Sequence, residues 1–274
     1  MFSIDLDCKQ DAKDILIADL WEAGSNGIVE LEDRPETARI RAFFDDDSLA
    51  DDLVSRFGGK AEPADTRDWV AFAREHLHPM VFGERIFVTP EWRDDPTPEG
   101  RIRIVINAGL AFGTGAHETT RLCLEAVDRL VTPGCSVADV GCGSGILAEA
   151  AFKLGAGCVF ACDNDPEAVT TANENFERAG IALRAVLGSA EEIPSASADL
   201  LLANISPAWI ADLANEWLRI LKPGGTAILS GFEGQDIPEV SKALVAAGAV
   251  NLQEYGLNSW RAMEIQSVVN KEQR

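Results

Sequence analysis

An apolar segment running straight into three alternating glycines, Ala138-Asp139-Val140-Gly141-Cys142-Gly143-Ser144-Gly145-Ile146, constrains this chain more than any other feature. It reads as a strand (Ser136–Val140), a tight turn and the start of a helix (Gly145–Leu154). In that context glycines let the backbone approach a ligand, and the helix N-terminus offers unpaired N–H groups to an anion. The spacing is G-x-G-x-G. A dinucleotide fingerprint places its third glycine one position later, where this chain has Ile146. Asp163 ends the next strand, about 20 residues on, where a carboxylate can accept both hydroxyls of a ribose. Loop and carboxylate together predict nucleoside binding. The missing glycine moves the expectation from NAD toward S-adenosylmethionine, whose methionine carboxylate would lie near the loop.

The same rhythm continues on both sides. Thr119–Leu130, Pro166–Ala179, Pro207–Leu221 and Ile237–Ala247 read as helices. Cys158–Cys162, Leu183–Leu187, Asp199–Ala203 and Thr226–Gly231 read as strands between them, and Val250–Tyr255 with Arg261–Val268 as a closing antiparallel pair. Alternation of this kind implies a parallel sheet covered on both faces. The expected fold is α/β, a doubly wound, Rossmann-like sheet of seven strands.

Ahead of it, residues 1–59 show the order β-α-β-β-α, which predicts a small ferredoxin-like α+β domain. Its elements are Phe2–Asp7, Asp11–Ala23, Gly27–Leu31, Ala38–Phe44 and Ser48–Phe57, with a turn at Asp33–Pro35 and Ser48 as N-cap. It carries no phosphate loop or reactive constellation and is read as a binding module. Residues 60–100 are expected to connect the two: Lys60–Asp65 as linker, Thr66–Leu77 as a helix presenting Trp69, and Arg85–Thr89 as a strand. A Pro-rich turn from Pro90 to Gly100 then leads to a strand at Arg101–Ile106. The large domain spans 101–274.

Charge narrows the partners. The chain carries a formal −21, and residues 1–100 hold 24 acids against 11 bases, a net of −13. Bare nucleic acid is disfavoured, because neutralising phosphates takes Lys and Arg. The acidity serves solubility, which charge alone favours, or attracts a basic protein. Asp5 and Asp7 stand where a signal peptide needs an apolar core, and no apolar run approaches the ~20 residues of a membrane span. Six scattered cysteines without CxxC pairs read as reduced thiols in a cytoplasm, not as a disulfide frame or metal site.

Asp199-Leu-Leu-Leu-Ala-Asn204-Ile-Ser-Pro207 places an amide at the carboxyl end of an apolar strand, where ligands bind in open parallel sheets. The segment resembles the Asn-Pro-Pro-aromatic motif of amino-group methyltransferases, with Ile205 and Ser206 in the middle and Trp209 offset. The alternative for Asn204 is a cap or turn for the helix from Pro207.

A further run, Gly109-Leu-Ala-Phe112-Gly113-Thr114-Gly115-Ala-His117-Glu-Thr119-Thr120, precedes the first sheet strand. Together with Gly141-Cys-Gly-Ser-Gly-Ile-Leu, Asp163-Asn-Asp-Pro, Asn204-Ile and Leu221-Lys-Pro-Gly-Gly, it resembles the bacterial methyltransferases that modify protein L11 of the large ribosomal subunit. The segment from Trp69 through Phe87-Val-Thr-Pro90-Glu-Trp92 also resembles that family. The resemblance implies a monomeric, S-adenosylmethionine-dependent protein N-methyltransferase of the cytoplasm, acting on lysine and N-terminal amines of L11. It implies cofactor contacts at Thr120, Gly141, Asp163 and Asn204; the loop adds Gly143, and Asn204 also positions the substrate amine. No metal is expected. His117 matches the family's histidine, and either a local hydrogen bond shaping the loop or proton acceptance accounts for it. His76 and His78 read as surface or packing residues. Rival readings are the same fold acting on another protein's lysine or a small amine, a non-catalytic cofactor-binding module, and an NAD-dependent oxidoreductase.

Overall fold

The computed structural model describes residues 1–25, 27–33, 36–64, 78–106 and 117–268. The helix expected at Thr66–Leu77 with Trp69 and His76, part of the Asp33–Pro35 turn, and the run Gly109–Ala116 lie outside the described residues. The chain divides into two compact units, Met1–His76 and Leu77–Arg274.

The first unit has the order β1 (Phe2–Lys9), α1 (Lys13–Glu22), β2 (Gly27–Asp33), β3 (Thr37–Phe44), α2 (Ala50–Phe57) and β4 (Lys60–Pro63). Its four strands form one antiparallel sheet in the order β2-β3-β1-β4, the ferredoxin-like arrangement. Alternation puts Phe2, Ile4 and Leu6 on one face with Ile40, Ala42 and Phe44, against Leu20 and Leu53 of the two helices. On the other face Asp5 accepts from Arg41 at 2.9 Å.

Two expectations change here. Lys60–Pro63 is a strand, not the start of a linker, so the first unit runs past residue 59. Gly58 and Gly59, both at positive φ, turn the chain from α2 directly into it. A Cβ on Gly59 would lie 2.5 Å from the Asp5 carbonyl oxygen, so only glycine allows β4 to return so closely along β1. The strand is polar and short because it is the edge, where a terminal Pro63 is tolerated. Secondly, Ser48 does not cap α2. Asp46 accepts from the Ser48 N–H at 2.9 Å and opens a 3-10 turn over Asp47–Leu49 that leads into the helix.

The second unit begins with a three-stranded sheet of β5 (Met80–Phe82), β6 (Ile86–Pro90) and β7 (Ile102–Ile106). β6 and β7 are parallel, so the proline-rich stretch between them is a crossover and not a tight turn. Arg103 fixes it by donating to the carbonyls of Asp95 and Arg93 at 2.6 and 3.1 Å. A boundary at residue 100 would therefore cut through one sheet. Phe82, Ile86, Val88, Ile104 and Ile106 share a core with Leu124 and Val127 of α3 (Glu118–Leu130). Asp128 of that helix accepts from the Glu84 and Arg85 N–H groups at 3.0 and 2.8 Å.

The large sheet follows the predicted alternation: β8 (Ser136–Val140), α4 (Ile146–Lys153), β9 (Cys158–Asp163), α5 (Pro166–Arg178), β10 (Ala185–Leu187) and β11 (Ala198–Asn204). Then come α6 (Pro207–Asp212), α7 (Ala214–Ile220), β12 (Leu221–Glu233), α8 (Ile237–Ala247), β13 (Val250–Leu257) and β14 (Trp260–Gln266). The seven strands lie in the order β10-β9-β8-β11-β12-β14-β13. Those from β10 to β12 are parallel, and β14 runs antiparallel to both its neighbours. From β8 the chain builds outward through β9 and β10, then crosses back to β11. The switch point between β8 and β11 is where such sheets open a binding crevice at their carboxyl ends.

The single helix expected over Pro207–Leu221 is two, broken at Leu213. The Trp217 indole N–H takes the Ile210 carbonyl at 2.9 Å, an acceptor that a continuous helix would give to the Ala214 N–H. Trp217 is fully buried. Trp217→Ala is expected to cost about 3–5 kcal/mol of stability in a urea melt. A loss below ~1 kcal/mol would mean that the break does not depend on the indole.

Candidate active site

Three elements converge at the switch point: the turn after β8, the end of β9 and the end of β11. In the turn, Gly141, Gly143 and Gly145 all hold positive φ, at 70°, 51° and 78°. Left-handed backbone at alternate positions costs other residues roughly 1–2 kcal/mol each, so the spacing of the motif is the spacing of the turn. The Gly141 and Cys142 N–H groups both donate to the Cys162 carbonyl, at 2.9 and 3.0 Å, which ties the turn to β9. Part of the glycine requirement is packing. A Cβ on Gly145 would lie 2.6 Å from the Phe176 ring of α5, and one on Gly141 would lie 2.3 Å from the Ile205 Cγ2.

Asp163 closes β9 and is 9% exposed. Its Oδ2 accepts from the Gly143 N–H at 2.8 Å and its Oδ1 from the Asp165 N–H at 3.0 Å. Each oxygen keeps a second lone pair. The carboxylate thus shapes the glycine turn and still offers two acceptors. Asp165 is the separate N-cap of α5, accepting from the Glu167 N–H at 2.8 Å.

At the end of β11, the Asn204 Nδ2 donates to the Thr120 Oγ1 at 3.4 Å. Thr120 is buried in the first turn of α3. The Asn204 Oδ1 is buried and has no hydrogen-bond partner. Asn204 does not cap α6: Ser206 occupies that position, and its side chain makes no cap bond. Ile205 locks the segment in place. Its N–H donates to the Ser230 carbonyl at 3.0 Å, its side chain covers Gly141, and its backbone passes so close to Gly231 that a Cβ there would lie 2.1 Å from its oxygen. Gly143 is thus paired with Asp163, and Thr120, a position taken from the family resemblance, with Asn204, and Ile205 joins the two pairs through Gly141.

His117 is the N-cap of α3. Its Nδ1 accepts from the Thr119 N–H at 3.3 Å and lies 2.8 Å from the Thr119 Oγ1, while its ring meets Trp260 edge-on at 4.7 Å. Of the two readings of this histidine, the geometry favours local shaping. His78, for its part, is exposed. Among the described residues no group of three or more His, Cys, Asp or Glu is placed to hold a metal. Burial pushes the Cys123 and Cys162 thiols up to about 12 and raises Cys142 as well, so none of the three is an available thiolate at neutral pH.

Asp139 is the residue that the sequence pattern hid, because it sits inside an apolar strand and its neighbours read as core. Its side chain is fully buried at the base of the turn, with Oδ2 accepting from the Ala148 N–H at 3.0 Å and Oδ1 unpartnered. Burial, with a smaller contribution from Asp163, pushes its carboxyl up to about 7. The folded state then binds a proton that the unfolded state releases near pH 4, so this group's contribution to stability is intact below that and is lost as pH rises to about 7. Asp139→Asn in the cofactor-free protein is expected to match the wild type at pH 4 and to melt higher at pH 8. Parallel melting curves across that range would contradict the assignment.

The residues fit S-adenosylmethionine: a turn with closely approachable backbone, two free carboxylate acceptors at the end of β9, and an orphaned amide oxygen across the crevice. Comparison with known proteins agrees. The family model described as ribosomal protein L11 methyltransferase (PrmA) matches residues 2–267. A ribosomal protein L11 methyltransferase of Aeromonas salmonicida is 40% identical over 223 residues, covering 81% of this chain and 74% of that protein. One of Halorhodospira halophila is 41% identical over 211 residues, covering 73% and 72%. The crystal structure of a ribosomal protein L11 methylase from Lactobacillus delbrueckii subsp. bulgaricus superposes with a TM-score of 0.64 at 29% identity, covering 70% of this chain and 99% of that one. The chain is an S-adenosylmethionine-dependent methyltransferase and belongs to the ribosomal protein L11 methyltransferase family.

Proposed function

We propose that this enzyme methylates lysine side chains and the N-terminal amine of ribosomal protein L11. The observation that carries the amine reading is the Asn204 carboxamide, held beside the glycine turn by Thr120 and Ile205 with its oxygen unpartnered. An amine N–H is the donor that such an oxygen lacks. When bound, the cofactor supplies a methyl group already activated on a sulfonium. The chain has correspondingly little covalent chemistry to perform.

In this reading Asp163 accepts from the ribose hydroxyls, and Gly141 and Gly143 present their backbone to the methionyl end. Thr120 holds Asn204 in place, and both border the cofactor. Asn204 orients the acceptor lone pair along the line of displacement, where alignment supplies much of the rate. A lysine ammonium, with a reference pKa near 10.4, must first release its proton, and a water-poor crevice favours the neutral amine.

Residues 1–59, extended by β4, form the recognition module. The second unit, from Leu77 on, forms the catalytic body. The net −13 of residues 1–100 suits a basic protein substrate and disfavours direct contact with nucleic acid. The enzyme is further proposed to act as a cytoplasmic monomer. Among the described residues no helix is long and apolar enough to cross a membrane. Incubation with isotope-labelled cofactor and recombinant L11 tests the reading: label on L11 is expected, and label on other lysate proteins or small amines in its place would remove L11 as the acceptor.

A further inference from the structure

We infer that Asn258, in the turn between β13 and β14, is a positioning residue for methyl transfer: its side chain holds Glu118, and with it the first turn of α3, which carries Thr120 and steadies Asn204. The role rests on the reading of Asn204 as the group that orients the acceptor amine.

Leu257 and Trp260 pair across β13 and β14, so Asn258 and Ser259 form a two-residue hairpin turn. Asn258 stands at φ 54°, left-handed backbone that asparagine tolerates better than most residues. Asn251, at the other end of β13, holds the same conformation at φ 55°. The two asparagines differ in what their side chains reach. The Asn251 Nδ2 donates to the Gln266 Oε1 at 2.7 Å, a bond within the hairpin. The Asn258 Nδ2 donates to the Glu118 Oε1 at 2.9 Å, a bond that leaves the hairpin for the first residue of α3. Glycine would satisfy the turn, so the backbone alone does not account for this amide. Beside it, the Trp260 ring meets His117, the cap of the same helix.

The hairpin is joined to both sides of Asn204. On the helix side, Thr120 follows Glu118 in the first turn of α3, and its Oγ1 takes the Asn204 Nδ2 at 3.4 Å. That length is close to the limit of a hydrogen bond, so a small shift of the helix start decides whether the bond is made. On the sheet side, Asn204 pairs with Ser230 across β11 and β12. The Ser230 Oγ donates to the Arg261 carbonyl of β14 at 2.9 Å, and the Ser230 carbonyl accepts from the Ile205 N–H at 3.0 Å. The contacts close a ring: β14 to α3 through Asn258 and Glu118, α3 to β11 through Thr120, β11 to β12 through Ile205, and β12 back to β14 through Ser230.

The far end of α3 is fixed to the same hairpin independently. Arg129 and the Tyr255 hydroxyl both donate to the Glu264 Oε2, at 2.7 and 3.1 Å. Removing the Asn258 amide therefore leaves the helix docked and frees its first turn. The loss falls on alignment of the acceptor with the methyl group, which acts on rate.

The test compares wild type, Asn258→Gly and Asn251→Gly in the full chain, with L11 as acceptor. Glycine keeps both turns unstrained and deletes only the side chains. Asn258→Gly is expected to lower kcat about tenfold, with the KM for L11 and the cofactor Kd within about threefold of wild type. Asn251→Gly is expected to match the wild type, and the two melting temperatures to agree. Because Asn258 acts through Asn204, adding Asn258→Gly to Asn204→Ala should cost nothing further. Unchanged kcat in Asn258→Gly, an equal loss in Asn251→Gly, or a loss that multiplies with that of Asn204→Ala would each overturn the inference. If the wild type transfers nothing to L11, the substrate reading fails separately. The inference is then decided by the NMR signals of the Asn204 side-chain amide, assigned by their disappearance in Asn204→Ala. Signals that move in Asn258→Gly and stay in place in Asn251→Gly support it. Signals unmoved in Asn258→Gly, or moved alike in both, overturn it.

Discussion

Asp163→Ala is expected to reduce the affinity for S-adenosylmethionine by at least about 100-fold, read by calorimetry. Two effects add. The ribose loses a charged acceptor, worth roughly 1.5–3 kcal/mol per hydrogen bond. The Gly143 N–H, now held at 2.8 Å by the carboxylate, loses the partner that keeps the turn in its left-handed geometry. At about 1.4 kcal/mol per factor of ten, these losses together reach the stated range. Asp165→Ala is the control, since Asp165 caps α5 without touching the turn. It is expected to cost about 1 kcal/mol of stability and to leave cofactor affinity within a few-fold. Retained affinity in Asp163→Ala, or an equal loss in both variants, would place the ribose elsewhere.

Asn204→Ala carries the second large effect, and it falls on a different parameter. The amide makes one long bond to Thr120 and otherwise presents an empty oxygen, so the structure around it survives its removal. Loss of a positioned polar group aimed at the reacting centre typically costs about 100- to 1,000-fold in kcat. Single-turnover methyl transfer should show that loss, while cofactor affinity changes only a few-fold. A variant that turns over normally with a raised cofactor Kd would make Asn204 a cofactor ligand alone.

Gly141, Gly143, Asp163 and Asn204 are legible from spacing because each sits where a strand ends, whereas Thr120 comes from the family resemblance alone. A strand running into alternate glycines fixes Gly141 and Gly143, the next strand end supplies Asp163, and the end of an apolar run supplies Asn204. Ile205 was not legible as a connector. It is an ordinary apolar residue whose importance comes from two contacts distant in sequence, Gly141 and Gly231. Asp139 is illegible for the opposite reason: a carboxyl surrounded by core residues gives no pattern of its own. In the first unit, β4 was hidden by its polarity, since an edge strand with one paired neighbour needs no apolar alternation. The parallel pairing of β6 with β7 was likewise beyond local reading, because strand direction depends on the path of the connection and not on its composition. The break at Leu213 follows from a single indole N–H reaching back seven residues.

The most direct test of L11 as the substrate is the intact mass of ribosomal protein L11 from cells with and without this enzyme. L11 from the cells that lack it is expected to be lighter by one or more methyl increments, with the full mass returning on expression of the wild type and not of Asn204→Ala. An L11 of identical mass in both cells would contradict the assignment of L11 as the substrate.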